Sequence, residues 1–347
     1  MFRLKKYFKT SLITFRNLFV AILIISLPCQ AALAAETLVC ASYPVWLFAR
    51  YLNEGRDLFE VELLTNPATG CPHEFSPTPK DLNRLTKTKA LVKNGLGLES
   101  YLDLALKVAP PDITVIDASA GIPTLAAGWG RVDIDGPQAP ADRSPAMAPN
   151  PHIFLSPKLS IAMMANIAEG MTRLDPGGAD HYASRLAAWE FSLASLLDDI
   201  ERFRATHRGF KLVTSHGFMD YLARDMGLAV LADLSPIGTE APPSAQRLAR
   251  LGRLIGEERI SAILLDPEAD PAVGRSLSQE YKIPSAILDT ATSGTYDPPE
   301  DYYAQILRED VDLLNRLFPA NVQPPPPAPK PEAAPHNPKP IEPPTLD

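Results

Sequence analysis

The sequence is short of cysteine, of positive charge and of histidine. Its 347 residues hold three cysteines, six histidines and 33 lysines and arginines against 41 acidic residues, a formal net charge of −8. Nucleic acid is a poor partner for such a chain, because binding to it rests on basic patches that neutralise phosphates. Acidic residues are absent from residues 1–34. There Arg3, Lys5, Lys6, Lys9 and Arg16 accompany the apolar run Leu18 to Leu27 and the small-residue site Ala32-Leu33-Ala34. That order of features describes a secretory signal peptide cleaved near Ala34–Ala35, and so export to the periplasm. The apolar run, about ten residues, falls short of the roughly 20 that a membrane span needs, and no later stretch is apolar enough to span. Cys29 follows Leu27-Pro28, a setting that suits lipid attachment badly. Without the leader, 28 basic residues face 41 acidic ones, a formal charge of −13. That balance is compatible with a cationic ligand.

Two cysteines then remain, Cys40 and Cys71. In an oxidising compartment they are a disulfide candidate; a pair of free thiols, or Cys71 as a soft metal ligand near His73, are the open alternatives. Proline, by contrast, is abundant at 36 residues. Between Pro324 and Pro344 it recurs every one to four residues with almost nothing apolar to bury, so 321–347 reads as an extended, mobile, polyproline-like tail. His336 within it reads as a solvated residue.

The body between leader and tail, roughly 280 residues, suits two domains. Strands are expected at Leu38 to Ser42, Phe59 to Leu64, Ala90 to Lys93 and Thr114 to Ile116, with helices at Thr78 to Lys87 and Leu98 to Val108 between them. Ala126 to Pro149, dense in Gly, Pro, Asp and Ala, reads as a long surface loop. A capped helix follows from Ser156 to Leu174. His181 to about Thr206 then forms one uninterrupted helix with Leu186, Trp189, Phe191, Leu193, Leu196, Leu197, Ile200 and Phe203 facing inward. His181 and His207 at its two ends read as solvated. Beyond it strands at Lys211 to Thr214, Leu228 to Leu231, Ala262 to Leu265 and Ala286 to Leu288 alternate with helices, the last being Pro299 to Leu317. Such alternation implies α/β architecture with parallel sheets covered by helices on both faces. The expected layout is two lobes, 35–180 and 208–320, each a parallel sheet flanked by helices, joined by the long rigid helix 181–207.

In parallel sheets ligands collect at the carboxyl ends of strands. Four side chains with metal affinity follow such ends or sit in strand-to-helix loops: His73, His152, His216 and Asp289. Two lie on each side of the long helix, so a cleft between lobes brings all four together. Three imidazoles and a carboxylate suit zinc in tetrahedral geometry. Taken singly, each histidine reads as well as a hydrogen-bonded structural residue, and Asp289 as the cap of a turn. A zinc hydrolase needs an open coordination position and a general base. Glu74 adjoins His73, but Pro77 stands where an H-E-x-x-H helix needs its second histidine, and no Ser/His/Asp pattern appears.

These segments resemble, in order, the motifs of periplasmic zinc- and manganese-binding proteins of ABC transporters. Gly70-Cys71-Pro72-His73-Glu74-Phe75-Ser76-Pro77-Thr78-Pro79 resembles the family's G-x-D-P-H-x-Y-x-P-T-P, and Asn94-Gly95-Leu96-Gly97-Leu98-Glu99 its N-G-x-x-L-E. Asn150-Pro151-His152-Ile153-Phe154-Leu155-Ser156-Pro157 is similar to D-P-H-x-W-x-D-P, and His216 to Tyr221 to H-x-x-x-x-Y; Asp289 falls where the family carries its last aspartate. The resemblance spans roughly Thr37 to Phe318. It implies two globular lobes on a rigid helix and a monomer that hands a divalent metal to a membrane permease without catalysis. Histidine at the third ligand position, His216, implies zinc, with manganese the alternative; an exported metal-binding adhesin or structural protein is the reading from another class. The chain departs from the pattern at Cys71, Asn150 and Ser156, all acidic in the family, and at Phe154, a tryptophan there. The histidine-rich loop of many zinc-specific members is missing from Ala126 to Pro149. The lost carboxylates are expected to remove charge that orients and strengthens the imidazoles.

Overall fold

A computed structural model describes residues 36–68, 70, 72–107, 109–134, 148–235, 243–268 and 270–320, without the side chains of Glu74 and Leu104. The expected leader, Cys71, Val108 and the proline-rich tail lie outside these residues. Among the described residues eight strands form two four-stranded parallel sheets. The first holds β1 (Glu36–Cys40), β2 (Phe59–Leu63), β3 (Ala90–Lys93) and β4 (Thr114–Asp117) in the order β2-β1-β3-β4. The second holds β5 (Lys211–Thr214), β6 (Ala229–Asp233), β7 (Ala262–Leu265) and β8 (Ser285–Ile287) in the equivalent order β6-β5-β7-β8. The order reverses beside β1 in one sheet and beside β5 in the other. Such switch points open a crevice at the carboxyl ends of the central strands.

The helices are α1 (Tyr43–Asn53), α2 (Pro79–Leu85), α3 (Leu102–Ala105), α4 (Pro157–Leu174), α5 (Ala179–Thr206), α6 (Asp220–Met226), α7 (Ala245–Glu258), α8 (Pro271–Tyr281) and α9 (Tyr302–Leu317). Their starts follow local chemistry. Thr78 and Asp81 close a reciprocal cap on α2 ahead of Pro79, and the Ser156 and Ser244 hydroxyls accept from Leu159 and Arg247 N–H at the heads of α4 and α7. The expected helix Leu98 to Val108 shrinks to the single turn of α3. Positive φ at Gly95, Leu96 and Gly97, and the Glu99 carboxylate accepting from Asn94 and Gly95 N–H, fold the preceding residues into a tight turn.

Strand alternation divides the apolar side chains between layers. Leu38 and Cys40 of β1, with Leu212 and Leu264 of the second sheet, enter one central core. Val39 and Leu91 face a smaller cluster under α2 and α3, and Val213, Ile263 and Leu265 face another under α7 and α8. The central core runs from one sheet to the other through α1, α4, α5, α6 and α9, so the two lobes share it and form one compact unit from Glu36 onward.

The 28-residue helix α5 is about 42 Å long at 1.5 Å per residue. Its buried stripe is Tyr182, Trp189, Leu193, Leu196, Ile200 and Phe203, a spacing of three, four or seven residues. Phe191 falls off that stripe and is 84% exposed, contrary to its expected inward position. Trp189 meets Phe48, Tyr51 and Tyr303 with ring centroids 4.9–5.5 Å apart. The histidines at the helix ends are not solvated as expected. His207 is buried, stacked on Phe203 with Nδ1 3.0 Å from the Phe203 carbonyl, which also accepts the His207 backbone N–H at 2.8 Å. His181 places Nε2 3.1 Å from the Leu52 carbonyl.

The stretch expected as a surface loop is docked at its start. Ala126 pairs with Pro149 in an antiparallel bridge, Val132 N–H donates to Leu231 O of β6 at 2.9 Å, and Arg131 is buried between two aspartates of the second half. Residues 135–147 lie outside the described ones.

Candidate metal centre

His73 lies on a single 3₁₀ turn, Pro72–Glu74, in the connection from β2 to α2. His152 precedes the 3₁₀ turn Ile153–Leu155 that leads into α4, and His216 follows β5 at the switch point of the second sheet. The structure brings these three imidazoles together. The His152 ring centroid is 5.3 Å from that of His73 and 5.2 Å from that of His216. Two imidazoles bound to one tetrahedral zinc at about 2.0–2.1 Å put their ring centroids about 5.2 Å apart. Among the described residues no three His, Cys, Asp or Glu side chains meet the geometry of a formed metal centre. The two ring spacings are nonetheless those of histidines able to share an ion.

His73 is exposed, His216 half-buried and His152 only 4% exposed. Burial first, then the neighbouring His216 and His73 rings, holds the His152 imidazole well below its usual pKa, so it stays neutral and ready to donate a lone pair. The Nδ1 atoms of His152 and His216 are both engaged. Asn150 Oδ1 lies 2.9 Å from the first and Asp266 Oδ2 3.1 Å from the second. With Nδ1 held by an acceptor, Nε2 is the nitrogen left for a ligand.

Asp289 lies two residues past the end of β8, the edge strand of the second sheet. Its carboxylate accepts from Ala291 N–H at 2.8 Å, its own N–H donates to Asp310 Oδ1 at 3.0 Å, and burial raises its pKa. Two acidic groups that sequence reasoning missed follow β7. Asp266 follows β7, beside His216 across the switch point, and also takes the Ser215 hydroxyl. Glu268 receives a backbone position from Asp266, which accepts its N–H at 2.9 Å. Burial, then the hydrogen bond and charge of Asp266, push the Glu268 carboxyl up to about 7. Glu268 also reaches across to the His73 loop. A Cβ on Gly70, whose φ is +78°, would lie 2.3 Å from its Cγ, so a side chain there would push Glu268 aside. A strand-end position was the available signal for Asp266; nothing in the sequence pointed to Glu268.

The charge expected to be lost at Asn150 and Ser156 is present one side chain further out. Asn150 Nδ2 donates to Asp220 Oδ2 at 2.9 Å, and Ser156 Oγ to Asp225 Oδ2 at 2.5 Å. Both carboxylates come from α6. Burial pushes the Asp220 carboxyl up to about 6, against the pull of Arg131. Cys40 is a buried free thiol, and burial raises its pKa; the candidate partner Cys71 lies outside the described residues.

Residues 39–316 match the family described as "ZnuA: Zinc-uptake complex component A periplasmic". The chain belongs to this family. It is a family of binding components of transport systems, not of enzymes. Among curated relatives the chain is 25% identical over 292 residues to the zinc-binding protein AdcA of Streptococcus pyogenes, covering 80% of this chain and 55% of that protein. The chain thus spans about half the length of that relative. It is 27% identical over 285 residues to the high-affinity zinc uptake system protein ZnuA of Bacillus subtilis, covering 80% of this chain and 85% of the relative. Among solved structures, the solute-binding protein FpvC of Pseudomonas aeruginosa in complex with Mn2+ superposes with a TM-score of 0.70 at 24% identity, over 82% of this chain and 98% of that one. A crystal structure of ZnuA superposes with a TM-score of 0.65 at 23% identity, over 81% of this chain and 99% of the other. At these identities the structural likeness establishes the fold: two parallel sheets flanked by helices, with one long helix between them.

Proposed function

We propose that the protein captures a divalent cation, zinc first, between the carboxyl ends of its two sheets and hands it to an ABC permease. His73, His152 and His216 supply three imidazoles, and Asp289 the carboxylate that completes the set on capture. The observation that carries this reading is the ring contact of His152 with both other histidines at the spacing of shared ligands. Imidazole nitrogen favours zinc over manganese, which prefers harder oxygen donors. In this reading residues 1–34 direct export to the periplasm, 35–180 and 208–320 are the two halves that hold the ion, and 181–207 links them. The protein acts as a monomer.

Competitive titration of the purified mature protein with zinc and manganese tests the proposal. The expected result is one equivalent of zinc, displacing manganese. Replacing His216 with Ala is expected to weaken zinc binding by at least tenfold, and replacing Asp289 with Ala by less. Wild-type zinc affinity in His216→Ala, or stoichiometric manganese that zinc does not displace, contradicts it.

A further inference from the structure

Arg131 and His152 are far apart in function by any reading of the sequence, yet one chain of hydrogen bonds joins them. Arg131 is 6% exposed at its side chain and lies between two carboxylates that are 0% and 2% exposed. Its Nη1 donates to Asp220 Oδ1 at 2.5 Å and to the Trp129 carbonyl at 2.8 Å; Nε and Nη2 donate to Asp233 at 3.2 and 2.7 Å. The other oxygen of Asp220 accepts from Asn150 Nδ2. Asn150 Oδ1 in turn lies 2.9 Å from both the backbone N and the Nδ1 of His152.

We propose that Arg131 and Asp220 are positioning residues for the metal site, acting through the Asn150 amide to keep the His152 proton on Nδ1 and its Nε2 lone pair turned to the ion. This rests on the reading of His152 as a ligand. An amide can sit either way round, so its orientation has to be imposed. Here the Asn150 NH2 group faces two pure acceptors, Asp220 Oδ2 at 2.9 Å and the Gly217 carbonyl at 2.6 Å. Its oxygen therefore faces His152, where it already accepts the backbone N–H. An oxygen with no proton to give leaves His152 Nδ1 only the role of donor. The opposite tautomer would carry its proton on Nε2 and offer the ion no lone pair there. A ring this buried has little water to reorient against, so the amide decides.

Arg131 fixes the sense of the relay one step earlier. It demands an oxygen at the 220 side-chain position it touches. In Asp220→Asn the amide oxygen goes to Arg131 and the new NH2 faces Asn150 Nδ2, donor against donor. The flip that relieves it sets the Asn150 oxygen against the Gly217 carbonyl and its NH2 against the His152 backbone N–H, so Asp220→Asn leaves the amide with competing orientations and His152 with a mixture of tautomers. In the double variant N150D/D220N, a carboxylate at 150 accepts both from the new amide and from His152 Nδ1–H, and the original tautomer returns, although the Gly217 carbonyl loses its donor.

Long-range ¹H–¹⁵N spectra of the metal-free full chain read the His152 tautomer, and zinc titration against a chelator reads affinity. The expected pattern is Nδ1–H in the wild type, a measurable fraction of Nε2–H with zinc binding weakened about tenfold in D220N, and a return to Nδ1–H with part of the affinity recovered in N150D/D220N. Nδ1–H alone in D220N overturns the proposal, as does weakened binding without a tautomer change or a double variant that fails to recover. Should D220N not fold, the double variant decides alone: Nε2–H there overturns the relay, Nδ1–H with zinc binding retained supports it. H152A separates the two readings. Unchanged zinc affinity in H152A sinks the ligand assignment itself, whereas severe loss in H152A beside wild-type behaviour of D220N sinks only the relay.

Discussion

Glu99 ties the carboxyl ends of β1 and β3 together. It is buried and accepts from the Ser42 hydroxyl at 3.0 Å, Asn94 N–H at 2.8 Å and Gly95 N–H at 3.1 Å. Burial nonetheless pushes its carboxyl from 4.5 up to about 7. A folded-state value above the unfolded one means that, between about pH 4.5 and 7, the folded protein holds a proton that the unfolded chain has released. The contribution of this group to stability is therefore present at low pH and lost as pH rises through that window. Glu99→Gln is expected to flatten the slope of melting temperature against pH between about 5 and 7; an unchanged slope contradicts the assignment. Asn150 gives the second prediction at this scale. Restoring the family's acid with Asn150→Asp places a carboxylate 2.9 Å from buried Asp220. Stability at pH 8 is expected to fall by about 1–3 kcal/mol in denaturant titration, with partial recovery toward pH 5 as one carboxyl takes up a proton. The three histidines were legible because each follows a strand end or precedes a helix, where ligands gather. Asp220 and Arg131 were not, because an acid one turn beyond a histidine and a lone arginine in a Gly- and Ala-rich stretch carry no periodic signal.

Helix α4 depends on a missing side chain. A Cβ on Gly170 would lie 2.6–2.8 Å from three carbons of Ile116 on β4, so the helix packs on the strand through that glycine. Alanine is the better helix former by about 1 kcal/mol, but Gly170→Ala is expected to lower the melting temperature, because overpacking a filled core costs about 1–3 kcal/mol. Ile116→Ala in the same chain is expected to recover part of that loss. A more stable single variant would show that propensity outweighs packing here. Most elements were legible within a residue or two: the spans of β3, β5 and β7 coincide with the expected ones. Periodicity was strong there and caps were explicit. It failed at Leu98 to Val108, where apolar spacing suggested a helix but Gly95 to Gly97 and the Glu99 carboxylate impose a turn.

At the scale of the molecule, the alternation of strands and helices announced two parallel sheets, and the long helix announced their connection. What it did not announce is the shared core. Leu38 of the first sheet and Leu212 of the second contribute to one apolar cluster through α5, with Trp189 at its aromatic centre. The two halves are therefore expected to unfold in a single cooperative transition, with coincident far-UV and near-UV melting curves; two separated transitions contradict a common core. Bound metal is expected to raise the midpoint of that one transition, and less so at acidic pH, where protons compete for the imidazoles. Zinc K-edge X-ray absorption on the protein loaded with one equivalent of zinc measures the donor set directly. The expected spectrum has three imidazoles and one oxygen at about 2.0–2.1 Å. Fewer than three imidazoles, or a sulfur scatterer near 2.3 Å, contradicts the three-histidine site.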